Sequence, residues 1–280
     1  MRIEENAYGK INLALDVLYK REDGYHEINS IMQQISLHDT VIIKEGGRGV
    51  QISCDNSLVP LDHTNLVHMA WDEIRKMTGT ESGISVEIHK IIPVAAGLAG
   101  GSSNGAAVLL GLNKMWNLGL TRDELMAIGK RIGADIPFCI LGGTALAEGI
   151  GEKLTSLKPF KDKHILLANP GFGISSAYAY SKLNIPAERK PMDILIQCIE
   201  NDDQKCLADR MFNVFEDSII PENPIIGDIK RIMEEHGALG ALMSGSGASV
   251  FGLYDDTEKL EFTRKKLQDI IPHVFHVTTI

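Results

Sequence analysis

Pro93-Val94-Ala95-Ala96-Gly97-Leu98-Ala99-Gly100-Gly101-Ser102-Ser103-Asn104-Gly105-Ala106-Ala107 runs directly into Val108-Leu109-Leu110, and the fold follows from how this stretch is read. Small residues fill its first half, two hydroxyls sit at its centre, and an apolar helical run follows. Gly97, Gly100 and Gly101 are free to take positive φ and let backbone amides close on a ligand. Ser102 and Ser103 stand where a helix N-cap belongs, and the helix beyond them turns its unsatisfied amides and positive dipole end toward the loop. A loop of amides that opens a helix suits an anion, most often a phosphate. A turn made only for packing rarely combines three glycines with two hydroxyls, so the phosphate reading leads.

Other chemistries compete for the same residues. Gly101-Ser102-Ser103-Asn104-Gly105 satisfies G-x-S-x-G, the nucleophile elbow of a serine hydrolase with Ser103 as nucleophile. That elbow requires the serine to leave a strand at once. Here Pro93 and a run of alanines and glycines separate Ser103 from the strand pattern ending at Ile88, and no HGGG-type oxyanion segment lies upstream. No lysine follows the glycines in P-loop form, and no G-x-G-x-x-G opens a dinucleotide fold. A phosphate loop remains whose lysine arrives from elsewhere, and Lys10 is the candidate.

Lys10 lies on an alternating run. Ile11, Leu13, Leu15 and Val17 share one face and Lys10, Asn12, Ala14 and Asp16 the other, the pattern of a half-buried strand. Lys10 and Asn12 then emerge on one side about 7 Å apart; a solvated strand-edge lysine is the plain alternative. Asp23-Gly24 marks a tight turn, and Tyr25-His26 directly after it serve either turn packing or the stacking of a ring. Residues 28–37 are ambiguous between helix and strand. Thr40–Lys44 and Val50–Cys54 read as strands, and a helix from Asn65 places Leu66, Ala70, Ile74 and Met77 on one stripe, closing near Gly79. Ile84, Val86 and Ile88 form the strand that delivers the chain to the glycine loop.

Beyond the loop helix, Thr121-Arg-Asp-Glu124 is a capping box. Asp135 then sits between Gly133-Ala134 and Ile136-Pro137-Phe138, as a helix N-cap or as a catalytic carboxylate, and Gly142-Gly143 bends into a strand. A polar, proline-bearing passage near 156–163 marks a domain boundary. Past it come the strand His164–Ala168, helical patterns near Ser175–Leu183, Met192–Glu200, Leu207–Phe215, Pro224–His236 and Thr257–Asp269, and a second glycine-serine loop, Ser244-Gly245-Ser246-Gly247. Strands alternating with helices in both halves imply mixed α and β layers.

A chain of 280 residues is long enough for two domains. Its formal net charge of −9 argues against a nucleic-acid backbone as partner, but not against a phosphate held by amides. No stretch reaches the roughly 18 apolar residues of a membrane span. Met1-Arg2-Ile3-Glu4-Glu5 lacks the apolar core of a signal peptide, so a cytoplasmic protein is expected. Cys54, Cys139, Cys198 and Cys206 show neither CxxC nor zinc spacing and are expected as reduced thiols. The nine histidines contain no HExxH, and no metal site is expected.

Several ordered motifs resemble the GHMP family of small-molecule kinases, with a likeness over nearly the whole chain. Tyr8-Gly9-Lys10-Ile11-Asn12-Leu13 and Arg21-Glu-Asp-Gly24-Tyr25-His26-Glu27 resemble substrate-binding segments. Pro93 through Ser103 resembles the ATP loop, and Gly133-Ala134-Asp135-Ile136-Pro137-Phe138 with Gly142-Gly143-Thr144-Ala145 resembles the catalytic aspartate segment. Met243-Ser244-Gly245-Ser246-Gly247 resembles the closing glycine motif; Ala248 stands where proline is usual after it, and Gly105 where alanine is usual.

The resemblance implies an α+β two-domain GHMP kinase fold. Its ribosomal-S5-like N-terminal domain (1–157) would bind ATP, its ferredoxin-like C-terminal domain (158–280) would bind substrate, and the site would lie in the cleft between them. The activity implied is transfer of the ATP γ-phosphoryl group to the 2-hydroxyl of 4-diphosphocytidyl-2-C-methyl-D-erythritol, in the non-mevalonate route to isopentenyl diphosphate. Residues Pro93 to Ser103 would hold the nucleotide phosphates, with Mg²⁺ carried by the nucleotide, and Asn65 and Lys90 would lie near the adenosine. Asp135 would accept the hydroxyl proton and Lys10 would pair with it. Asn12 would contact the erythritol portion, and Tyr25, His26 and Tyr180 the cytosine. The protein would be a monomer or homodimer without nucleic-acid or membrane partners. Three rivals remain: a sister kinase acting on another small alcohol, the serine hydrolase, and a non-catalytic RNA-binding module. The acidic charge speaks against the last.

Overall fold

Two long strands open the chain, β1 (Arg2–Lys20) and β2 (His26–Glu45). The computed structural model describes residues 1–80, 82–187 and 189–280. Gly24, in the turn between these strands, takes φ 86°, where only glycine is at ease. Residues 28–37, which the pattern leaves open, are strand because they pair with a partner far along the chain. The order continues with β3 (Val50–Cys54), α1 (Leu66–Thr78), β4 (Ile84–His89), α2 (Gly100–Met115), α3 (Arg122–Ile132), α4 (Ile136–Leu141), β5 (Thr144–Gly149) and β6 (Lys153–Ser156). Then come β7 (His164–Asn169), α5 (Ser176–Lys182), α6 (Met192–Glu200), α7 (Gln204–Ala208), β8 (Phe212–Asn213), α8 (Glu216–Ile219), α9 (Pro224–Glu235), β9 (Gly240–Met243), β10 (Val250–Tyr254), α10 (Thr257–Gln268) and β11 (His273–Thr278).

The elements form two units, each discontinuous in sequence. The first comprises residues 1–9, 37–94 and 99–142; the second comprises 10–36, 95–98 and 143–280.

In the first unit β4 runs antiparallel to the end of β2, Thr40 facing His89 and Glu45 facing Ile84, and β3 lies parallel to β4. A parallel neighbour needs a crossover, which α1 supplies. Asn65 caps α1 by accepting the Val67 amide, and Gly79 stops it at φ 68°. Val67, Ala70, Trp71 and Ile74 face inward, whereas Met77, expected on that stripe, is exposed. Helix α2 is buried along most of its length, so its apolar residues need no single stripe. Both reciprocal bonds of the Thr121–Glu124 capping box start α3. Ile43, Val86, Ile74, Val108, Leu112, Ile128 and Ile136 share one core.

In the second unit β5 pairs antiparallel with β2, from Ile28 opposite Gly149 to Gln33 opposite Thr144, and β8 lies parallel to β1. A separate four-stranded sheet has the order β11-β7-β10-β9. With α9 and α10 as its connecting helices this is β-α-β-β-α-β, with the first strand lying between the last and the third: the ferredoxin-like arrangement.

Three local expectations change. The helix expected over Leu207–Phe215 ends at Ala208, and Phe212–Asn213 is a strand on β1. There Asn213 Nδ2 donates to the Met243 and Gly245 carbonyls, long-range bonds that override local propensity. The strand expected to be half-buried is buried on both faces from Gly9 to Val17. Cys198 and Cys206, expected as thiols, form a disulfide linking α6 to α7, while Cys54 and Cys139 keep the expected thiol form. Among the described residues no helix is long and apolar enough to cross a membrane.

Candidate active site

The glycine loop holds three left-handed residues at alternate positions: Ala95 (φ 52°), Gly97 (φ 76°) and Ala99 (φ 56°). Two of these are alanines, so surrounding contacts must hold the shape against a cost of about 1–3 kcal/mol each. The Ala95 carbonyl accepts the Ile174 amide at 3.0 Å, and the Leu98 carbonyl accepts the Lys10 amide at 3.1 Å. Ser244 Oγ donates to the Gly97 carbonyl at 3.0 Å. A Cβ on Gly97 would collide with the Ser244 carbonyl, so the close approach of the second glycine-serine motif requires glycine at 97.

Ser102 and Ser103 are not caps. Helix α2 begins at Gly100, and its cap residue is Ala99, which offers no side-chain acceptor to the first-turn amides. Alternating backbone conformations that lead into a helix start without a side-chain cap make a nest suited to a polyphosphate. The Ser103 hydroxyl donates to the Gly100 carbonyl at 2.8 Å, and the residue is only 2% exposed. A buried serine inside a helix cannot serve as an elbow nucleophile, which removes the hydrolase reading. Gly105 packs against Leu66 and Ile136, each 3.3 Å from where a Cβ would stand, so the departure from alanine matches a tight helix contact.

Beneath the start of α2 lies a group the sequence reading missed. The Asp39 carboxylate is fully buried and accepts from Lys90 Nζ, from the Ile91 and Ile92 amides at 2.7 and 2.8 Å, and from Asn104 Nδ2 at 2.9 Å. A Cβ on Gly100 would stand 2.8 Å from Lys90 Nζ. The Lys90 ammonium pairs with Asp39. An aspartate within a Val/Ile strand pattern is itself a signal, since strands are depleted in that residue. Asn65 accepts from Val67 N at 2.9 Å and donates to the Pro60 carbonyl at 2.6 Å.

Lys10, Asn12 and Asp16 line one face of β1 and are 5%, 1% and 5% exposed, so Lys10 is no solvated edge residue. Lys10 Nζ donates to Asn12 Oδ1 at 2.7 Å. Asp16 accepts from Arg189, whose guanidinium also donates to the Val17 and Leu18 carbonyls. In the same unit the His26 ring stacks on Tyr180, centroids 4.5 Å apart at 17°, and Tyr180 meets Phe215 edge-on. Burial, then the charge of Lys20, holds the His26 imidazole below its usual pKa. Tyr25 is exposed, on a turn fastened by Arg21 to Asp23 and Glu27.

Asp135, in the first unit, precedes α4 with φ −85° and ψ −12°, and Pro137 follows. Asp135 thus takes the N-cap position of α4 as the plain reading has it, but its side chain makes no cap hydrogen bond, so capping does not use the carboxylate. Among the described residues no group of three or more His, Cys, Asp or Glu side chains could hold a metal ion.

Residues 65–143 match the GHMP kinases N terminal domain, and residues 195–272 the GHMP kinases C terminal region. The chain is similar to the 4-diphosphocytidyl-2-C-methyl-D-erythritol kinase of Acetivibrio thermocellus, 47% identical over 92% of each chain. To the protein of that name from Clostridium botulinum it is 42% identical over 98% of this chain and 99% of the other. A crystal structure of 4-(cytidine 5'-diphospho)-2C-methyl-D-erythritol kinase superposes with a TM-score of 0.84 at 27% identity, covering 99% of both chains. L. major mevalonate kinase, at 16% identity and a TM-score of 0.76 over 99% of this chain and 95% of the other, shares the fold. The chain belongs to the GHMP kinase family.

Proposed function

We propose that the protein transfers the γ-phosphoryl group of ATP to the 2-hydroxyl of 4-diphosphocytidyl-2-C-methyl-D-erythritol, giving the 2-phosphate and ADP. The nest of Ala95, Gly97 and Ala99 opening α2 without a side-chain cap supports phosphoryl transfer. Relatives 42% and 47% identical, named for this substrate, support the choice of acceptor.

Phosphoryl transfer has a loose transition state, so positioning and charge do most of the work. The stretch from Pro93 to Ser103 holds the nucleotide phosphates through the open amides at the start of α2, the Ser103 amide itself donating to the Ala99 carbonyl. Mg²⁺ carried by the nucleotide supplies charge neutralisation across those phosphates. The acceptor oxygen forms its bond to the γ-phosphorus as the bond to the β–γ bridging oxygen breaks, and its proton passes to Asp135. A carboxylate is a weak base toward an alcohol, so that proton moves late. The Lys10 ammonium offsets charge growing on the attacking oxygen.

Asn12 orients the erythritol portion, and Tyr25, His26 and Tyr180 present ring faces and polar tips to the cytosine. Asn65 and Lys90 lie near the adenosine, Asn65 also fixing the start of α1 through the Val67 amide. Residues 1–157 carry the ATP-binding loop together with the substrate contacts of Asn12, Tyr25 and His26, and 158–280 add Tyr180 to the substrate side, in a cytoplasmic monomer or homodimer. The test is a panel of alcohols offered with Mg-ATP. The cytidylated erythritol should be phosphorylated far faster than erythritol derivatives lacking the cytidyl group, homoserine or mevalonate; indifference to the cytidyl group overturns the assignment in favour of a sister kinase.

A further inference from the structure

We infer that Ser30 is a positioning residue for the Lys10 ammonium, acting through Asn12. The inference rests on the role of Lys10 in the proposed phosphoryl transfer. Ser30 lies on β2 and is fully buried. Its hydroxyl donates to the Ala14 carbonyl at 2.6 Å and accepts from Asn12 Nδ2 at 2.8 Å. Asn12 in turn presents Oδ1 to Lys10 Nζ at 2.7 Å.

The direction of every bond is forced. A carbonyl only accepts, so the single Ser30 proton goes to Ala14, and the serine oxygen can only accept from Asn12. An ammonium only donates, so the end of Asn12 facing Lys10 must be its oxygen. Both ends of the carboxamide are thereby specified, and the flip that leaves most asparagines ambiguous is excluded here. Each side chain is at least 95% buried (exposures 5%, 1% and 0%), so no solvent competes for these bonds. Gly245 approaches the same asparagine, where a Cβ would stand 3.5 Å from Oδ1. The chain Ala14–Ser30–Asn12–Lys10 therefore reads as a directional strut that ends on a cation.

Ser30→Ala removes the acceptor that orients Asn12 while deleting only one oxygen from the core. It should lower kcat about tenfold, the upper end for one buried neutral hydrogen bond, with KM for ATP changed less than about twofold. Ser30→Thr keeps the hydroxyl and should restore most of the lost kcat. In an Asn12→Ala background the further change to Ser30→Ala should leave kcat unaltered, because the strut is already cut. Independent losses in the double variant, or a fall in melting temperature with kcat unchanged in Ser30→Ala, would overturn the inference. Lys10→Met separates the two levels. If it is inactive while Ser30→Ala is fully active, only the role of Ser30 falls; if Lys10→Met keeps its kcat, the role of Lys10 and this inference fall together.

Discussion

Lys90 and Asp39 form an ion pair whose side chains are 3% and 0% exposed, directly beneath the first residue of α2. The same carboxylate accepts the two amides that lead into the glycine loop and the amide of Asn104 in the helix beyond it. One buried charge thus ties β2 to the last residues before the loop and to the helix after it. Removing one partner of such a pair leaves the other buried and uncompensated, at about 3–5 kcal/mol. Lys90→Met should therefore lose stability on that scale in urea denaturation. A variant with an unchanged denaturation midpoint would contradict a structural role for the pair.

Gly97 and Gly101 separate packing from ligand contact. A Cβ at 97 strikes the Ser244 carbonyl, and its φ of 76° disfavours any other residue, so Gly97→Ala should lower both stability and ATP affinity. A Cβ at 101 meets only Leu66 Cδ1 at 3.9 Å, on an exposed helical position. Gly101→Ala should raise stability by up to about 1 kcal/mol through helix propensity. It should nonetheless raise KM for ATP, because the added methyl intrudes on the phosphates. A stabilised Gly101→Ala enzyme with unaltered KM would move the nucleotide away from the start of α2.

His26 carries a pH prediction. Burial, then Lys20, lowers its pKa below the ordinary 6.5, so the folded state favours the neutral ring. Its contribution to stability is complete above 6.5 and is lost as pH falls through the lowered folded value. Proton NMR titration should show the His26 ring titrating below 6.5, and KM for the cytidylated substrate should rise over that same acid range. A ring titrating at or above 6.5 would contradict the half-buried stack on Tyr180.

Tyr25 is 59% exposed, so its removal costs the fold little. Tyr25→Ala should raise KM for the cytidylated substrate more than KM for ATP, measured with each as the varied substrate. Equal effects would place the pyrimidine elsewhere.

Much of the scaffold is legible locally. The Thr121 capping box, the Gly79 stop and the alternation at Ile84, Val86 and Ile88 act within a few residues, and each appears where the pattern puts it. What escapes local reading depends on distant partners. Residues 28–37 become strand through pairing with β5, and Phe212–Asn213 leave their helical pattern to join β1 and hold Met243 and Gly245. The two loop serines look like caps because their type suits a cap, but the left-handed Ala99 starts the helix earlier. Lys90 and Asp39 lie 51 positions apart, and Asn12 and Ser30 lie 18 apart, so no spacing rule joins them. The glycine loop stands out in the sequence because its residue types act locally, whereas the buried Asp39 and Ser30 are joined to their partners only by the fold.

The central claim is that Asp135 takes the acceptor proton. Single-turnover transfer from ATP to 4-diphosphocytidyl-2-C-methyl-D-erythritol by Asp135→Asn tests it, because the carboxamide keeps the shape and cannot accept the proton. The rate should fall by at least about 10²–10⁴-fold, while the dissociation constants of both substrates stay within about tenfold. Turnover at the wild-type rate would contradict the account.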